Sequence, residues 1–78
     1  MPLPTREDLA KQFLHGAERH YAAQVDRLTA DVDNLLANSA GIDDHQRIDN
    51  ALGDLFEKLA TEKDNLEAVK DYRTQRQL

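Results

Sequence analysis

At 78 residues and 8.9 kDa the chain has room for one domain, and folding at this size normally buries only about 60% of the surface exposed by the unfolded chain. Hydrophobic residues make up 40% and charged residues 32%, with three Gly and two Pro, which is too apolar for a disordered tail and too poor in turn-formers for a many-stranded fold. A net charge of −5, from 15 acids and 10 bases, argues against direct nucleic-acid binding, and the lack of cysteine excludes disulfides, thiolate metal sites and a thiol nucleophile.

The first element starts at Pro4-Thr5-Arg6-Glu7-Asp8. Thr5 is placed to accept from the backbone three residues on, Asp8 to answer it reciprocally, and two acids suit the positive end of a helix. From there Ala10, Leu14, Ala17, Tyr21, Val25, Leu28, Val32 and Leu35 recur in steps of four and three, so one stripe runs along a helix expected over about residues 6–40. Gly16 lies inside it at a cost of roughly 1 kcal/mol relative to Ala. A break there would let a short first segment fold over the rest as a three-helix monomer.

Gly41 is the residue type that ends helices in the left-handed conformation, and Ile42 just beyond it is placed to pack back on Leu36 or Ala37. Asp43 or Asp44 then caps a second helix, with Gln46 available to complete a capping box with Asp43. The turn is expected at about 41–43 and the second helix over about 44–76. Its stripe is Ile48, Leu52, Leu55, Leu59, Leu66, Val69 and Tyr72, with Glu62 where another apolar residue would fall.

Two long helices joined by so short a turn must fold back on each other, so the fold expected is all-α: a single antiparallel helical hairpin. Counting outward from the turn pairs Leu36 with Ile48, Val32 with Leu52, Leu28 with Leu55 or Phe56, Val25 with Leu59, and Leu14 with Val69. One such seam scarcely offsets the ordering cost of the chain. Leu9, Phe13, Leu36 and Phe56 flank it and widen the apolar stripe beyond what one partner helix covers. The expectation is therefore a homodimer, two hairpins forming a four-helix bundle through Leu9, Phe13, Tyr21, Val25, Leu28, Leu36 and Phe56.

Candidate chemistry is sparse. His15, His20 and His45 have no complete set of ligand neighbours, and His15 with Glu18 reverses the Glu-x-x-His order of helical di-metal sites, so no metal or other cofactor is expected. Tyr21 should face Glu62 or Lys63, with His20 at the edge. A carboxylate in an apolar stripe needs a hydrogen-bond donor, and Tyr21 can be that donor in a polar layer that fixes register. No nucleophile or phosphate-cradling loop accompanies the layer, so no catalytic residue is assigned.

Charge is polarised along the hairpin. Residues 26–57 hold eight acids against two bases, a net of −6, and the remainder sums to +1. Asp43, Asp44 and Asp49 form an acidic tip, while Arg6, Lys11, Lys70, Arg73 and Arg76 gather at the other end. The sequence thus reads as a non-enzymatic interaction or regulatory protein, its partners a second copy of itself and another protein with a basic surface. One alternative is a small acidic inhibitor, of the kind phages and plasmids carry, that imitates nucleic acid and blocks a protein that handles it. The other is a small-ligand or metal binder at the polar layer. With no apolar run near the roughly 18 residues of a membrane span, no signal-peptide layout after Met1 and no cysteine, a cytoplasmic location off the membrane is expected.

Overall fold

The computed structural model describes residues 2–39, 41 and 43–78. Two helices, α1 (Arg6–Ala37) and α2 (His45–Arg76), each of 32 residues, pack antiparallel as an all-α hairpin. At 1.5 Å per residue each helix is about 48 Å long. The hairpin is a thin rod measuring 63 × 25 × 12 Å.

Local chemistry accounts for where the helices begin. At α1 the capping box forms: the Asp8 backbone N–H donates to Thr5 Oγ1 at 3.1 Å, and the Thr5 N–H donates to Asp8 Oδ2 at 3.2 Å. At α2 the cap is Asp44, whose Oδ1 accepts from the Arg47 N–H at 3.0 Å. The box expected between Asp43 and Gln46 is replaced by this single cap. Arg47 stands at the third helical position and has no acceptor with which to reciprocate, while the Gln46 amide donates to Asn50 Oδ1 at 3.0 Å instead.

The helix ends depart from expectation at α1 only. That helix stops at Ala37, short of the 40 expected, because polar side chains take up its last carbonyls. Asn38 Nδ2 donates to Asn34 O at 2.8 Å and Ser39 Oγ to Leu36 O at 2.7 Å. Gly41 adopts the left-handed conformation expected of it, φ 86°, but it lies beyond the Asn38 cap, so it shapes the turn and does not end α1. The expected contact of Ile42 with Leu36 or Ala37 lies outside the described residues, as does Ala40. At the end of α2, Gln77 takes φ 57°, and the Leu78 N–H reaches Arg73 O at 2.9 Å in a Schellman arrangement.

Along the seam the buried and half-buried residues include an unbroken alternation of fours and threes. On α1 these are Leu14, Glu18, Tyr21, Val25, Leu28, Val32 and Leu35; on α2 they are Ile48, Leu52, Leu55, Leu59, Glu62, Leu66, Val69 and Arg73. This is the spacing of an antiparallel coiled coil. Among the described residues only Leu28 (5% exposed), Val32 (7%) and Leu59 (9%) are buried. Leu14 and Val69 share one groove, as the register expects. Leu35, not Leu36, stands beside Ile48, and Leu36 is 51% exposed.

Gly16 lies within continuous α-helix, so the three-helix monomer is not the fold. The consequence of two helices without a third layer is surface. The chain exposes 6257 Å², against about 4,800 Å² for a compact monomer of its mass. Its radius of gyration is 18.1 Å, where a compact chain of this length has about 11.5 Å.

Candidate interaction surfaces

The rod carries three surface features that its sequence singles out. At the open end, where the two chain termini lie, Phe13 projects 76% exposed beside Tyr72 at 46% and Leu9 at 40%. Phe13 and Tyr72 flank an apolar groove of about 480 Å³, floored by Leu14 and Val69 and closed at one side by Leu78. Leu78 is held at the end of α2 by its N–H on Arg73 O and by Arg73 Nε on its main-chain oxygen. Arg76 lies over the Tyr72 ring, 5.2 Å from its centroid, and brings positive charge to the rim.

Nearer the turn, Leu36 (51% exposed) and Phe56 (52%) are two further exposed apolar side chains, one on each helix. Of the residues expected at an interface between copies, then, Leu9, Phe13, Leu36 and Phe56 are exposed. Tyr21 and Val25 are half-buried along the seam, and Leu28 is covered by its own hairpin. Leu28 therefore stabilises the monomer fold and has no surface left to offer a second copy.

The acidic tip is exposed at Asp43, Asp44 and Asp49. Asp44 also caps α2, so one of its oxygens is engaged with backbone.

The polar layer differs from expectation. His20 is exposed and packs edge-on to Tyr21, with ring centroids 5.2 Å apart at 66°. Glu62 is half-buried in the seam, but its Oε2 atom is buried and makes no hydrogen bond, so the bond expected from Tyr21 does not reach that oxygen. The polar contact that does cross between the helices is an ion pair, Arg73 Nη1 donating to Glu18 Oε2, with side chains 29% and 24% exposed. Arg73 Nε donates in addition to the Leu78 main-chain oxygen at 3.2 Å. Sequence reasoning missed this pair, although the signal was present: both residues sit at four-three positions, with opposite charges within reach of long side chains. Among the described residues no three His, Asp or Glu side chains group as metal ligands. No helix there is long and apolar enough to cross a membrane.

No family model, curated protein or solved structure matches the chain. Its function is therefore argued from these surfaces alone.

Proposed function

We propose that the chain is a non-enzymatic interaction protein, a helical hairpin that hides its excess apolar surface against further copies of itself. A homodimer forming a four-helix bundle is the smallest such assembly. The observation that carries this reading is the area: about 1,400 Å² is exposed beyond what a compact monomer of this mass shows. That excess includes two phenylalanines more than half exposed, Phe13 and Phe56. Burial of apolar area at about 25 cal/mol per Å² is the largest stabilising term open to a rod with three buried residues, and a second copy supplies it without any other partner.

Its role is accordingly one of assembly or regulation through contact. The groove beside Phe13 and Tyr72 is walled by apolar side chains and the Tyr72 ring, which suits contact with another apolar surface. The cysteine-free composition suits a reducing compartment, and a cytoplasmic site of action belongs to the proposal.

Sedimentation equilibrium over a dilution series tests it. The mass should rise from one chain toward two or more as concentration increases, and the melting temperature should rise with it. A chain that stays single at every concentration while remaining helical and cooperatively folded would overturn the proposal.

A further inference from the structure

We infer that copies of the chain associate head to tail: the open-end groove beside Phe13 and Tyr72 of one copy receives the Leu36 and Phe56 patch of the next, with the two hairpins antiparallel. This rests on the self-association proposed above and specifies its contact.

The first step is angular. With 3.6 residues per turn, Phe13 lies about 60° to one side of Leu28 around α1 and Leu36 about 80° to the other. On α2, Phe56 and Tyr72 are about 160° apart. In an antiparallel pair the same sense of rotation leads to the same broad face on both helices. Leu36 and Phe56 therefore share one face of the rod, and Phe13 and Tyr72 the other, where they line a common groove. Along the axis the two patches are separated by about 30 Å. The exposed apolar residues thus form two patches, on opposite faces and toward opposite ends, where the sequence reading had placed them in one ribbon.

The second step is symmetry. A twofold contact presents the same face of both copies, so it covers one patch and leaves the other bare. Covering both by twofold contacts takes two different interfaces, one for each face, and wherever patch meets patch two turn-proximal halves whose residues 26–57 each carry −6 come together, a like-charge contact that is unfavourable. Seating the patch of one copy on the groove of another covers both with one repeated contact and keeps the acidic halves apart. It sets the acidic half against the half that bears Lys63, Lys70, Arg73 and Arg76.

The third step is area. A stable interface takes about 800 Å² from each partner. A copy engaged on both faces therefore loses about 1,600 Å², close to the excess of about 1,400 Å² that this rod exposes. A pair joined by unlike surfaces leaves one groove and one patch free, so the assembly should grow past two chains, into a ring or a filament.

Complementation between two variants tests the contact. Phe13→Asp disables the groove and Phe56→Asp disables the patch; each keeps the other surface, and both side chains are exposed, so the hairpin should retain its helicity by circular dichroism. In sedimentation, the native chain should grow past two copies with concentration, and each variant alone should run as one chain. An equimolar mixture should give a one-to-one pair and stop there, because only one groove and one patch remain intact. If either variant alone associates like the native chain, or the mixture fails to pair, the head-to-tail contact is wrong although self-association stands. A native chain that never associates instead overturns the underlying proposal. Should either substitution lower the helicity, Tyr72→Asp and Leu36→Asp disable the same two surfaces, and the same pattern is required of them.

Discussion

Replacing Leu28 by Ala removes the isopropyl end of a side chain that is 5% exposed, the least of the described hydrophobic residues. At about 0.8 kcal/mol per buried methylene the lost transfer energy is about 2.5 kcal/mol. A cavity adds to such a loss where the surroundings hold rigid. Here the seam is open to water along both flanks, and Leu59 and Val32 can settle toward the gap, so the total should stay near about 3 kcal/mol. For a single-seam hairpin this is a large fraction of the whole stability. Phe13→Ala removes a bigger side chain that is 76% exposed. At high dilution that change should cost under about 1 kcal/mol. The measurement is urea unfolding followed by helicity, repeated at falling chain concentration so that association drops out of the comparison. If Leu28→Ala loses less than about 1 kcal/mol, or no more than Phe13→Ala at the lowest concentration, the seam is not what holds the hairpin together.

Glu62→Leu should stabilise the chain by about 1–3 kcal/mol, because it exchanges a buried carboxylate oxygen without a hydrogen bond for an apolar group in an apolar stripe. A loss of stability in the same urea titration would show that Glu62 has a partner in solution. The two glycines outside α2 should respond to alanine with opposite signs. Gly16→Ala, in mid-helix with nothing within 4 Å of the added Cβ, should gain about 1 kcal/mol. Gly41→Ala, at φ 86°, should lose about 1–2 kcal/mol through backbone strain although space is equally free. Equal effects at the two sites, read from melting curves, would contradict the helix-and-turn assignment.

Features governed by residues close in sequence are legible before the fold is known. The Thr5–Asp8 capping box and the left-handed Gly41 each follow from a few adjacent side chains and backbone sterics. So does the hairpin itself, since two long stripes on either side of a tight turn admit no other arrangement. The stop at Ala37 is also local, but it is decided by competition: Ser39 gives both its backbone N–H and its hydroxyl to Leu36 O, a carbonyl that another turn of helix would have used. Spacing alone does not rank those outcomes. Leu35 and Leu36 show a similar limit. Both continue the stripe from Val32, at three and four residues, and only the crossing of the two helices decides that Leu35 turns toward Ile48 and Leu36 toward water.

The harder step is from stripe to surface, and it decides how the chain works. A stripe read on one helix says how wide the apolar arc is, without saying on which face of a paired rod each edge of it emerges. That depends on the partner helix and on its direction: reversing α2 would exchange the faces on which Phe56 and Tyr72 appear, so that Phe13 would share a face with Phe56 and Leu36 with Tyr72. With α2 antiparallel, Phe13 and Tyr72 meet across one groove at the open end while Leu36 and Phe56 remain half exposed on the other face. A turn too short to allow parallel helices thus sets Phe13 with Tyr72 and Leu36 with Phe56, and the asymmetric charge of residues 26–57 is the reason the proposed contact joins unlike surfaces.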